Sequence, residues 1–183
     1  MAMRKEYATI GELIRDNLHV EEDNETLKLI GGLEGVRERG YFIKEEFLKM
    51  AMWKSARPRH QYLKNSEEEI VSVSRKLFSA ESERKKIGLL TSLKGVSIPT
   101  ASAILTLTDP QNYGVIDIRV WQMLYLYGSV KAKPSGRNFG FNDWSDYLAK
   151  LRYYAAKFRA PVRDIERAIF WYHRKMQQGK LYR

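Results

Sequence analysis

The stretch LKGVSIPTASAIL, Leu93 to Leu105, followed by VIDIRVWQML, Val115 to Leu124, decides how the chain is read. Leu90 and Leu93 close one apolar stripe, Gly95 interrupts it, and Ala101, Ile104 and Leu105 begin another. The pattern predicts helix, tight turn, helix. Ser97 fits as the N-cap of the second helix. Pro99 falls in its first turn, where a missing N–H costs little, and Asp109-Pro110 stops it. A turn of this kind directs free backbone N–H groups and the positive end of a helix dipole outward, which suits a phosphate. Backbone contacts of that type do not read base sequence. Asp117 then reads as the N-cap of a helix from Ile118 to Tyr127 that Gly128 ends, with Trp121 in the core.

Downstream, SVKAKPSGRNFGF (Ser129 to Phe141) is a basic loop rich in Gly, Ser and Pro, the best candidate for a mobile element. Two amphipathic helices follow. Asn142 is expected to cap the first, with Trp144, Tyr147, Leu148, Leu151, Tyr154, Ala155 and Phe158 facing one way. Pro161 opens the second, with Val162, Ile165, Ala168, Ile169, Tyr172 and Met176 inward.

Upstream, Glu81 to Leu93 is the first helix of the hairpin pair, and its Lys85-Lys86 reads as an exposed face. Ser66-x-x-Glu69 is a capping-box signature opening a helix to about Phe78. Ile43 to Ser55 is a clear helix with Phe47, Met50 and Ala51 on its inner side. It runs into WKSARPRH (Trp53 to His60), an aromatic among cations. An indole there can stack on a base while Lys54 and Arg57 hold phosphates. The same residues also suit a helix C-terminus with its Trp in the core. Thr26 to Arg39 carries Leu27, Ile30 and Leu33 at helical spacing, weakened by Gly31, Gly32 and Gly35. His19 to Glu25 is an acidic loop or helix start, and Thr9 to Asn17 a short helix.

At 183 residues the chain is long enough for one substantial core. It has no cysteine, which rules out disulfides and thiolate metal sites and fits a reducing cytoplasm. No apolar run approaches a membrane span and no signal peptide is visible. His19, His60 and His173 are isolated, and there is no phosphate-loop or nucleophile-elbow pattern. The formal charge is +10 and favours a polyanionic partner. Residues 131–183 carry 13 Lys/Arg against 4 Asp/Glu, so the final third supplies most of the excess.

The order L-x-G-V-x-x-x-T-A-x-x-I-L, then the loop Pro110 to Gly114, then V-I-D-x-R-V resembles the helix-hairpin-helix DNA glycosylases of the endonuclease III superfamily (HhH-GPD). The match covers about 35 of the 183 residues. It implies an all-α, two-lobed fold of about eight or nine helices. A lobe from residues 23–107 would hold the hairpin. Residues 1–22 with 108–183 would form the second, and Asp117 would lie in the cleft between them. By resemblance Asp117 is the catalytic aspartate, and Gly95, Val96, Ser97, Thr100 and Arg119 contact a DNA phosphate. Trp53, Lys54, Arg57 and Tyr62 are candidate DNA or base-pocket contacts. Backbone carbonyls of Thr91, Leu93 and Val96 would hold a monovalent cation.

Three departures shape the expected activity. Ser97 stands where the hairpin usually has a second glycine. Pro99 stands where bifunctional members carry a lysine nucleophile, and proline forms no Schiff base. The four iron–sulfur cysteines are missing, so no cluster is expected. The resemblance therefore implies a monomeric, monofunctional DNA glycosylase in the cytoplasm (at the nucleoid in a bacterium), acting on double-stranded DNA with a damaged or mismatched base. The alternatives are a non-catalytic hairpin module for distorted or abasic DNA or a protein partner, and a lyase using another lysine such as Lys54.

Overall fold

The structure, a computed structural model, describes residues 5–177. They form eleven α-helices and no strand. The chain is all-α, as the periodicities require. Two helices more than expected arise locally. Thr26 to Arg39 is split into α2 (Asn24–Gly31) and α3 (Glu34–Arg39), because Gly32 ends the first where the amide ladder has little side-chain support. Leu27 is consequently exposed, while Leu33 and Val36 are buried. The second addition is the single turn α5 (Arg59–Tyr62).

The other elements are α1 (Ile10–Asn17), α4 (Lys44–Lys54), α6 (Glu67–Phe78), α7 (Glu83–Thr91), α8 (Ile98–Thr108), α9 (Ile118–Leu126), α10 (Phe141–Phe158) and α11 (Val162–Met176). Side chains cap most of them: Thr9, Asp23, Ser66, Ser82, Ser97 and Asp117 each accept an N–H of the first turn. Ser66 and Glu69 form the reciprocal capping box. One cap differs from expectation. Gly140, not Asn142, precedes α10, and Asp143 reaches back to accept the Gly140 N–H at 2.6 Å. The short Asn142 side chain lies inside the first turn and meets Arg84 instead.

α8 sits at the centre. Every residue from Thr100 to Thr108 is buried, so this helix is apolar or internally bonded all round. Its hydroxyls bond back into the helix, Thr106 to the Ser102 carbonyl and Thr108 to that of Ile104. α4 packs along α8, with α2, α3 and α7 beside it and α6 on α7. On the other side α1, α9 and α10 pack on α11. The α7–α10 contact joins these sets and is fixed by polar groups. Tyr113 lies 2.9 Å from Lys86 Nζ, while Arg152 bonds Glu83 at 2.7 Å. Lys86, read as part of an exposed face, is thus tied into this joint. No helix among the described residues is long and apolar enough to cross a membrane.

Candidate active-site cleft

The segment leading to Asp117 is bonded on three sides. The Ile116 N–H donates to Ser102 Oγ of α8 at 3.0 Å. The Val115 N–H donates to Glu166 of α11 at 3.3 Å, and the Val115 carbonyl accepts the Tyr147 hydroxyl of α10 at 2.7 Å. The loop before it tops α11, since Pro110 and Gln111 carbonyls accept the N–H groups of Arg163 and Val162. Gly114 is required there: a Cβ would stand 2.5 Å from Leu151 Cδ1 and 3.2 Å from Glu166 Cβ. Three helices, α8, α10 and α11, therefore fix where Asp117 begins α9.

Asp117 lines a cleft of about 710 Å³. One carboxylate oxygen accepts the Arg119 N–H at 2.9 Å, which caps α9. The other is 2.8 Å from Lys54 Nζ, at the end of α4. Both side chains are mostly buried, 15% and 17% exposed, yet both face the cleft. Burial alone raises the Asp117 carboxyl, but the Lys54 ammonium, with the Arg119 N–H and guanidinium, outweighs it. Asp117 is held below the usual carboxylate range and is ionised at neutral pH.

The hairpin turn forms one rim. Gly95 has φ +85°, and a Cβ there would come within 2.9 Å of Gln61 Cβ and Tyr62 Cδ1, so glycine is needed on both counts. Ser97 is extended, at φ −91° and ψ 170°. That position asks for no glycine, and its serine caps α8. The Val96 N–H is taken by the Leu93 carbonyl at 3.1 Å. Among the described residues the N–H groups of Gly95 and Ser97 meet no acceptor. Asn65 clamps the turn from behind, accepting the Lys94 N–H at 2.8 Å and donating to the Lys94 carbonyl at 3.1 Å. Thr100 is buried, its hydroxyl 3.2 Å from Ser97 Oγ and 3.4 Å from the Tyr62 hydroxyl. It braces the turn from within.

The opposite rim comes from α11, whose polar stripe the apolar reading of that helix did not single out. Arg163, Glu166, Phe170, Trp171 and Arg174 all line the cleft. Arg163 bonds Glu166 and also Glu22, at 2.7 Å, while Arg167 bonds Glu22 at 3.3 Å. Burial pushes the Glu166 carboxyl up against the pull of Arg163. Three guanidinium–ring contacts stand around the cleft: Arg163 over Trp53 at 5.5 Å, Arg119 over Phe170 at 5.3 Å and Arg174 over Trp171 at 4.6 Å. The signal was present in sequence. Residues 163, 166, 170 and 174 recur at helical spacing beside the apolar stripe.

The cleft thus brings together Asp117, Lys54, Trp53, Arg57, Arg119, Ser97 and Thr100. Trp53 is half-buried and oriented by its indole N–H, which donates to Thr26 Oγ1 at 2.9 Å. Tyr62 is a correction. It is fully buried under Gly95, packs edge-on against Phe47, and does not reach the cleft. The Ser129–Phe141 loop is another. It does not line the cleft, and it is tied down: Trp121 Nε1 donates to the Lys133 carbonyl at 2.9 Å and Lys133 Nζ bonds Asp143 at 2.5 Å.

Of the carbonyls expected to hold a cation, those of Thr91, Leu93 and Val96, that of Leu93 already accepts the Val96 N–H and keeps one lone pair for a cation. Among the described residues no group of three or more His, Cys, Asp or Glu side chains is placed to hold a metal ion. Comparison with family models, with curated proteins and with solved structures gives no match to this chain.

Proposed function

We propose that the protein is a DNA glycosylase of base excision repair, with the two-lobed HhH-GPD fold, hydrolysing the N-glycosidic bond of a damaged or mismatched base. Its partner is double-stranded DNA carrying that base, and it works as a monomer in the cytoplasm or at the nucleoid. The observation that carries the reading is Asp117. An ionised carboxylate stands in a cleft rimmed on one side by a hairpin with free amides and on the other by arginines and aromatic rings.

Each part has a role in that chemistry. The Gly95 and Ser97 amides and the N-terminus of α8 take a phosphate without reading sequence. Taking the base out of the stack costs a few kcal/mol, least for a weakened pair. The Trp53 and Phe170 rings offer the extruded base or the gap a stacking surface. As C1′ loses the base, positive charge builds on the sugar and Asp117 stabilises it. Held below the usual carboxylate range by Lys54 and Arg119, Asp117 keeps its negative charge facing the developing sugar cation.

A second reading is a non-catalytic reader of distorted or abasic DNA. It is favoured by Lys54, which occupies one oxygen of Asp117. Duplexes carrying uracil, hypoxanthine, alkylated purines, 8-oxoguanine or a thymine–guanine mismatch separate the two. A glycosylase yields strand cuts after hot alkali on at least one of them. Salt-sensitive binding with no cut on any duplex overturns the enzyme and leaves the reader.

A further inference from the structure

The charges lining the cleft are unevenly answered. Its carboxylates are all engaged. Glu22 holds Arg163 and Arg167, and Glu166 holds Arg163 with the Val115 N–H. Asp23 accepts the N–H and the hydroxyl of Thr26, at 2.9 Å and 2.7 Å, while Asp117 holds Lys54 and the Arg119 N–H. Two arginines of the same cleft, Arg119 and Arg174, form no close ion pair among the described residues and lie over the Phe170 and Trp171 rings. The Arg119 Nε is buried and meets no hydrogen-bond acceptor. The remaining lining ring, Trp53, is covered by Arg163. To a ligand the cleft therefore offers unmatched N–H donors and positive charge. It offers neither a ring without a guanidinium on it nor a carboxylate without a partner.

We propose that the cleft takes a neutral base bearing carbonyl oxygens and turns away cationic alkylated purines, with Arg119 the donor that sets the choice. The inference rests on the base-excision reading and narrows its substrate class. It moves Arg119 from a phosphate, the contact the resemblance implies, to the base. A guanidinium on one face draws on a ring's electrons, so a second cation gains little by stacking on that ring. A neutral base pays no such penalty, and its carbonyl oxygens accept from the free donors. The leaving step acts in the same direction. When the C1′–N bond breaks, its electron pair stays with the base. A neutral base departs carrying negative charge, shared between ring nitrogen and carbonyl oxygen, and a guanidinium beside it stabilises that charge. A cationic purine departs neutral and gains nothing from the guanidinium. Water bonds to C1′ through its oxygen, and the proton it sheds ends on the departing anion.

The test uses the full chain and duplexes carrying a single uracil, hypoxanthine, 8-oxoguanine or 7-methylguanine, the last with a fixed positive charge. Methylation at N7 weakens the glycosidic bond by itself, so a preference for the neutral bases comes from the protein. Free base is measured by mass spectrometry at neutral pH under single turnover, less the release without protein. Wild type is expected to release at least one neutral base at least ~10-fold faster than 7-methylguanine. Arg119→Gln keeps the backbone N–H that caps Asp117 and is expected to erase most of that ratio. A general weakening of the site slows every base alike, so the ratio reports the choice itself.

Release of 7-methylguanine as fast as the best neutral base overturns the inference and leaves the glycosylase standing. An unchanged ratio in Arg119→Gln overturns the assignment to Arg119. No release from any duplex overturns the glycosylase, and duplex binding by the same two proteins then decides the inference. Tighter binding of a neutral lesion than of 7-methylguanine, lost in Arg119→Gln, upholds it, and equal binding overturns it.

Discussion

Asp117 and Glu166 enter the same cleft, each bonded to a cation, yet they are built for different ends. Glu166 is 2% exposed, bonded to Arg163 and to the Val115 N–H, and Arg163 is in turn held by Glu22. Its charge is answered from several sides, and its partners join α11 to the segments before α2 and before α9. Asp117 has one capping N–H and one lysine, and its other side is open to the cleft. A saturated ion network fixes geometry. A carboxylate with one removable partner is available for chemistry.

The contrast breaks first at Glu166. Glu166→Ala leaves Arg163 with Glu22 alone and orphans the Val115 N–H. It is expected to cost about 3–5 kcal/mol in denaturant unfolding, the range for one partner of a buried pair. Asp117→Asn should behave oppositely. Asparagine is an equally good N-cap, so α9 and DNA binding are expected to persist while base release falls at least ~100-fold, read by alkali cutting.

His173 sharpens the scaffold side. It is 2% exposed, bonded to Gln122 at 3.0 Å, and burial, with Arg119 nearby, pushes its pKa down to about 4. The folded protein keeps it neutral where the unfolded chain, titrating near the usual histidine value, takes up a proton. Its stability is therefore full above pH ~6.5 and falls as pH drops towards about 4, by at most ~3 kcal/mol. His173→Gln is expected to flatten that part of the unfolding-versus-pH curve. The smallest effect belongs to Ser97→Ala, which removes the α8 cap and the contact with the Thr100 hydroxyl, at a cost of about 1 kcal/mol in thermal unfolding.

The parts of this molecule that sequence displays are those made by near neighbours. The caps at Ser66, Ser97 and Asp117 and the glycine at the hairpin depend on residues within a turn, so spacing reveals them. The split of α2 from α3 turns on how two glycines weigh against three apolar residues, which local preference does not decide. The cleft was half visible. Spacing marked the hairpin and the resemblance marked Asp117, but the Lys54–Asp117 bond joins residues 63 apart in the chain. On α11 a long apolar stripe masked the polar one beside it, because both recur at the same helical period. Tyr62 failed for the complementary reason: an aromatic beside cations in sequence is turned inward by the turn it supports.

The most direct test sets the two carboxylates against each other in one experiment. Wild type, Asp117→Asn and Glu166→Gln are assayed for base release from the best lesion duplex under single turnover, alongside their thermal unfolding. The account predicts that Asp117→Asn stays folded and releases no base, whereas Glu166→Gln melts lower but releases base at close to the wild-type rate per folded molecule. Base release by Asp117→Asn at the wild-type rate would contradict it.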